Sequence, residues 1–176
     1  MPLKRVQSNT NYITKINSPV GMLTVASDGK NITGLWIEGQ KYFPSNIENY
    51  VSKQNLPVFQ EVKKWLDCYF KGNVPNFKLP IITNGSDFRQ LVWHQLQKIP
   101  YGKTISYGEI AEIVEKETGK RQSARAVGGA VGHNPISIII PCHRVIGSTG
   151  KLTGYAGGLD VKIKLLQIEG IIDSGK

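Results

Sequence analysis

The sequence predicts an α/β (α+β) N-terminal domain, followed by a mostly helical C-terminal domain with a helix-turn-helix. Three observations carry this. Residues 11–17, 21–27 and 31–38 read as short strands, broken at Ser18-Pro19-Val20-Gly21 and at Asp28-Gly29-Lys30-Asn31; Asp-Gly is a hairpin-turn signal. From Ser86 onward, apolar residues recur at three and four positions behind capping residues. Between these regions, Asn73 to Gly85 is rich in Pro, Asn and Gly and reads as a linker. The expected division is therefore 1–85, N-terminal domain with its linker, and 86–176, C-terminal domain.

After the strands, Gly39 to Asn55 is polar and without period. Pro57 then opens a helix, because proline fits the first helical position. Phe59, Val62, Leu66, Tyr69 and Phe70 form its apolar face, Trp65 broadens it, and Gly72 closes it. Cys68 falls in this helix as a packing residue. This half carries no recognisable chemistry and reads as a support for the second.

Ser86 caps a helix to about Ile99, with Phe88, Leu91, Val92 and Leu96 inward, and Pro100-Tyr101-Gly102 ends it. Ser106-Tyr107-Gly108-Glu109 is a capping box that opens a helix to about Glu117. A polar turn, Gly119 to Gln122, leads to a short helix from Ser123 that Asn134-Pro135 ends. Two short helices joined by a polar, glycine-containing turn predict the helix-turn-helix. The second helix is built from Ala126, Val127, Gly128, Gly129, Ala130 and Val131. It is intrinsically weak, but its backbone can approach another surface closely, either a ligand or the protein core. Lys120, Arg121 and Arg125 stand at its start. A cation in the first turn opposes the helix dipole, so it serves either phosphate contact or solvation. The last helix runs from Leu159 to Glu169, with Gly170 as its cap.

The chain has 176 residues and a net charge of +9. That charge is spread along it: residues 1–85 hold ten Lys and Arg against five Asp and Glu, and residues 86–176 hold twelve against eight. A spread positive field suits nucleic acid bound without sequence preference, and it also serves solubility. No apolar run is long enough to span a bilayer, and Met1 to Gln7 has no apolar core of a signal peptide. Two cysteines in unlike contexts suit a reducing cytosol. His94, His133 and His143 lie on separate elements, without metal-site spacing.

The chemistry concentrates at Ile138 to Val145, Ile-Ile-Ile-Pro-Cys-His-Arg-Val. Three β-branched residues predict a buried strand, which Pro141 stops. Cys142 then opens at a forced break, beside His143 and Arg144. Cationic neighbours favour thiolate, the nucleophilic form; a buried structural cysteine is the other reading. The small-residue loop Gly154-Tyr155-Ala156-Gly157-Gly158 can line a flat pocket or be a plain hairpin. Glu169 stands against the dipole at a helix end, so a partner elsewhere is expected. His143 is the candidate, since a base needs an orienting group.

Ser106-Tyr107, Ala124-Arg125-Ala126-Val127-Gly128, Asn134-Pro135, Pro141-Cys142-His143-Arg144-Val145, Gly154-Tyr155 and Glu169-Gly170 follow in this order. Over Ser86 to Gly170 the chain resembles the O6-alkylguanine-DNA alkyltransferases, also called methylated-DNA–protein-cysteine methyltransferases. The resemblance implies a ribonuclease-H-like N-terminal domain and a winged-helix-like helix-turn-helix. It implies DNA repair by irreversible, stoichiometric transfer of an alkyl group from flipped O6-alkylguanine to Cys142, with O4-alkylthymine left open as a second substrate. His143 and Glu169 match the family's relay, in which a water links Cys to His. Tyr107 matches the proton donor to the leaving guanine, and Asn134 the hinge residue near the reacting thiol. Arg125 matches the finger that replaces the extruded base, with Arg121, Ser123, Ala126, Gly128 and Gly129 toward the DNA minor groove. Pro141, Val145, Tyr155, Ala156 and Gly157 match the pocket lining. The implied partner is double-stranded DNA containing O6-alkylguanine, met by a cytoplasmic monomer with no membrane, cofactor or metal.

Two departures stand out. Ala156 replaces a Ser found in some relatives, so backbone donors must serve the base oxygen there. The zinc ligands of some animal relatives have no counterparts. Three other readings make different demands. An alkyltransferase-like lesion-binding protein would carry another residue at Cys142. A helix-turn-helix regulator would need base-reading side chains that the Ala/Gly helix lacks. A cysteine hydrolase would turn over repeatedly.

Overall fold

The structure, a computed structural model, describes residues 10–173. Met1 to Gln7, read above for a leader, lie outside the described residues. Strands β1 (Tyr12–Ser18) and β2 (Gly21–Ser27) form a hairpin whose last pair is Ser18 with Gly21. Gly21 sits at φ 111°, which a side chain would resist. The next turn is built by Asp28, whose Oδ1 accepts from the amides of Lys30 (2.9 Å) and Asn31 (2.7 Å). It delivers β3 (Ile32–Ile37), antiparallel to β2. The polar 39–55 segment holds a two-residue strand, β4 (Val51–Ser52), parallel to β1. The sheet order is β3-β2-β1-β4.

Helix α1 (Pro57–Phe70) covers the sheet with Val58, Phe59, Val62, Leu66 and Tyr69. Pro57 occupies its first turn, as expected. The outer edge of β3 is covered by other segments, which protects an otherwise open edge. Ile32 exchanges backbone bonds with Pro80 (2.7 Å) and Ile82 (3.0 Å) of the linker. Further along, Leu35 donates to Pro135 (2.9 Å) and accepts from Ser137 (3.0 Å). The segment leading to the thiol is therefore laid on the N-terminal sheet.

The C-terminal domain is helical. Ser86 caps α2 (Asp87–Gln97) by accepting from the Arg89 amide. Trp93 on α2 donates to the Ala130 carbonyl at 2.8 Å. A two-residue strand, β5 (Ile105–Ser106), leads into α3 (Tyr107–Thr118), which starts on the predicted capping box. Gly119 at φ 70° ends α3, and Ser123 caps α4 (Ala124–Gly132). Helices α3 and α4 pack together as the helix-turn-helix. Strand β6 (Val145–Ile146) pairs parallel with β5, and α5 (Leu159–Ile168) closes the chain.

One expectation fails. Ile138 to Ile140 is a turn, not a strand. Asn134 forces it: its amide nitrogen donates to the Ile140 carbonyl (2.8 Å), and its amide oxygen accepts from the Ile136 amide (3.0 Å). Ile138 is held at φ 71°, an outlier for a β-branched residue. The apolar run reports burial, which a turn satisfies as well as a strand.

Candidate active site

Cys142 begins a single tight helical turn, Cys142–Arg144, behind Pro141. It is 4% exposed and forms part of the wall of a cavity of about 280 Å³. Tyr107 from α3, Asn134, Tyr155 and Ala156 line the same cavity, with Gly128, Val131 and Gly132 of α4. The remaining walls include Lys41 and Tyr42, from the N-terminal domain. Tyr42 stacks on His133 with ring centroids 3.8 Å apart. The Lys41 amide donates to the Ala156 carbonyl at 2.9 Å.

His143 and Glu169 meet, as the sequence suggested. His143 Nε2 is hydrogen-bonded to Glu169 Oε2. The same oxygen accepts from the Tyr69 hydroxyl at 2.7 Å. Glu169 Oε1 accepts from Arg144 Nε (2.8 Å) and from the Gly102 amide (3.0 Å). Burial works to raise the Glu169 pKa, but the His143, Tyr69 and Arg144 contacts outweigh it and hold it at about 2. The carboxylate is therefore an anion throughout the neutral range.

Burial lowers the His143 pKa, against the pull of Glu169. Its Nδ1 is buried, and no protein group bonds to it among the described residues. Burial likewise pushes the Cys142 thiol up, with Asn134, Tyr155 and the Lys162 charge acting the other way. The resting site is then a thiol beside a neutral imidazole, and thiolate forms only by giving up its proton to a base.

Some expectations need correcting. Arg144 does not attend the thiol; it serves Glu169 and donates to the Ile99 carbonyl at 2.7 Å. Pro141, Val145 and Gly157 are not cavity walls. Pro141 sits at the start of the thiol turn. Val145 is fully buried in the core. Gly157 packs so closely on Ile37 that an added Cβ would lie 2.9 Å from it. On the helix-turn-helix, Arg121, Ser123, Arg125, Ala126 and Gly129 are exposed, and Gly128 is half-buried against the Tyr107 ring. Ser123 also has a local duty, since its hydroxyl accepts from the Ala126 amide at 3.0 Å.

Four residues escaped the sequence reading. Tyr69 looked like apolar face, and Lys41 and Tyr42 fell in the patternless stretch. Lys162 received no role on the last helix, yet it is fully buried. Its ammonium donates to the Val145 (2.6 Å) and Thr153 (3.1 Å) carbonyls, and burial lowers its pKa to about 8. The helical spacing of Lys162 with Leu165 and Leu166 was the one available signal.

A helix-turn-helix backed by a buried thiol and a His–Glu pair defines the class of DNA-handling proteins built around a reactive cysteine. Comparison with known proteins gives the family. Residues 87–171 match the 6-O-methylguanine DNA methyltransferase DNA binding domain, and residues 11–83 match its ribonuclease-like domain. A methylated-DNA–protein-cysteine methyltransferase of Haemophilus influenzae is 44% identical over 167 residues, 93% of this chain and 90% of that protein. One of Mycolicibacterium paratuberculosis is 47% identical over 154 residues, covering 88% and 89%. The fold matches Mycobacterium tuberculosis OGT in complex with DNA, with a TM-score of 0.81 and 45% identity over 90% of this chain and 93% of that one. The chain belongs to the methylated-DNA–protein-cysteine methyltransferase family.

Proposed function

We propose that the protein repairs DNA by transferring the alkyl group of O6-alkylguanine to Cys142, once per molecule. The observation that carries this is Cys142 in a cavity wall, behind the helix-turn-helix, next to His143 held by Glu169. The thiol proton passes to His143 through a water, as the family relay implies. The thiolate attacks the alkyl carbon, the S–C bond forms, and the C–O6 bond breaks. Its electrons go to the departing guanine, which takes a proton from Tyr107. Burial raises the Tyr107 pKa, so the phenol keeps its proton until the base develops negative charge. The product is a thioether, which has no ready leaving group, so the sulfur is spent.

The base must leave the duplex to reach the cavity, at a cost of a few kcal/mol. Arg125, exposed in the first turn of α4, would fill the gap, and the small, exposed Ala126 and Gly129 surface would lie against the minor groove. Asn134 fixes the turn that presents Cys142. We divide the chain at 85/86 and infer a monomer, acting in a reducing cytoplasm where Cys68 and Cys142 stay free.

Intact mass after incubation with O6-methylguanine duplex tests the proposal. One added methyl per chain is expected, and none in Cys142→Ala. Repeated turnover with unchanged mass, or tight binding without transfer, would overturn it.

A further inference from the structure

We propose that Tyr69 is a positioning residue of the relay: its hydroxyl holds the Glu169 carboxylate so that His143 is bound by Nε2–H and keeps Nδ1 as proton acceptor. The inference rests on the alkyl-transfer reading and deepens it.

Tyr69 comes from α1, one hundred residues before Glu169 in the chain. It is fully buried. Trp65 stacks parallel to its ring at 5.6 Å, and Phe70 and Tyr101 meet it edge-on at 5.3 and 6.0 Å. The ring therefore aims the hydroxyl in one direction. That hydroxyl is 2.7 Å from Glu169 Oε2 and 3.2 Å from His143 Nε2. A phenylalanine would fill the same space and supply neither contact.

The tautomer follows from the count of donors. Glu169 Oε2 faces Tyr69 and His143, and Oε1 faces Arg144 and the Gly102 amide. An ionised carboxylate only accepts. The imidazole must then carry its hydrogen on Nε2, and a neutral imidazole has one N–H only. Nδ1, buried and unpartnered by protein among the described residues, is left with its lone pair. Tyr69 adds a donor without adding charge. Burial and Glu169 push its pKa far above the usual phenol range. The groups facing His143 are Glu169 and Lys162 toward the end of the chain, Arg144 on its own turn, and Tyr69 of α1.

Tyr69→Phe tests this. Transfer from O6-methylguanine duplex should slow by about 10–100-fold, as when an orienting partner behind a working group is removed. Duplex affinity, measured in the Cys142→Ala background, should not change. Iodoacetamide alkylation of Cys142 should shift its inflection to higher pH, and Glu169→Gln combined with Tyr69→Phe should shift it no further than Glu169→Gln alone. A packing role would lower the melting temperature and leave the inflection where it was. An unchanged rate and pH profile overturn the proposal, as does a rate loss explained by weaker DNA binding. Should Tyr69→Phe fail to fold, long-range 1H–15N spectra of wild type decide: His143 must be the neutral Nε2–H tautomer, and Nδ1–H rules the proposal out. A wild type that takes up no methyl counts against the alkyl-transfer reading, and the tautomer then judges Tyr69 separately.

Discussion

The two domains meet at the thiol and bring different things to it. The C-terminal domain holds the candidate nucleophile, base, carboxylate, proton donor and cationic wedge, all between Tyr107 and Glu169. The N-terminal domain brings no candidate reacting atom. It lends a phenol to Glu169, an aromatic ring to the cavity wall, and the β3 edge that carries residues 135–137. On the proposed reading, one domain holds the chemistry and the other aligns it. Reacting groups can share a short stretch of sequence, whereas the groups that align them need only share a place in the fold.

Glu169 is where the two contributions join, so its removal should have the largest effect. Glu169→Gln is expected to slow methyl transfer by about 100- to 1,000-fold, the scale of positioned acid–base catalysis. A loss under tenfold would mean that His143 works without its carboxylate. Acid should act through the same pair. The buried His143 refuses a proton that the unfolded chain accepts below pH 6.5. Glu169 likewise stays ionised down to about 2, against an ordinary 4.5. In both cases the unfolded state binds more protons, so stability falls as the pH drops, first below 6.5 and then between 4.5 and about 2. Melting curves against pH should show this, and Glu169→Gln should make the fall below 4.5 shallower, leaving the share of Asp28, whose carboxyl its turn amides also hold low. A wild type equally stable at pH 6.5 and pH 3 would contradict it.

The same asymmetry explains what was legible in the sequence. The helices came through because caps and periodicity are local signals: Ser86 and Ser106 cap as expected, Ser123 opens α4, and Gly119, read as the start of the turn, is the left-handed cap of α3. Cys142, His143 and Glu169 were legible because thiol, imidazole and a carboxylate set against its dipole are chemically marked. Tyr69 was not, since its hydroxyl matters only through a contact one hundred residues away. Lys162 was hidden because a buried lysine looks in sequence like a solvated one. The Ile138–Ile140 turn was misread because Asn134, not backbone propensity, sets its shape. The pairing of β5 with β6 rests on two residues each, too short for any pattern.

Arg125→Ala sharpens the comparison on the DNA side. Arg125 is exposed, bonds to no protein group among the described residues, and opposes the dipole of its own helix. Its loss should therefore not cost stability. Repair of duplex should fall about tenfold, the scale of a small part of the base-extrusion cost, while reaction with free O6-benzylguanine stays unchanged. Equal losses with both substrates would remove the wedge role and make Arg125 part of the pocket.

The smallest expected effect probes how far the N-terminal sheet reaches into the cavity. At Gly157 an added Cβ would lie 2.9 Å from both Ile37 Cδ1 and Tyr155 Cε1. Ile37 ends β3, and its terminal methyl can swing aside. The Tyr155 ring is a cavity wall and cannot move without changing the cavity. Gly157→Ala should cost about 1 kcal/mol, typical of mild overpacking, and lower the melting temperature by about 2–4 °C. If Ile37 absorbs the methyl, both small and bulky substrates react at wild-type rates, and β3 is a passive floor. If Tyr155 moves, O6-benzylguanine reacts more slowly while O6-methylguanine in DNA barely changes, because the larger group fills more of the cavity that Tyr155 lines. The second outcome is expected. The Lys41–Ala156 backbone bond already pins the Tyr155 loop to the N-terminal domain, so strain at Gly157 is carried into the wall and cannot be lost to solvent.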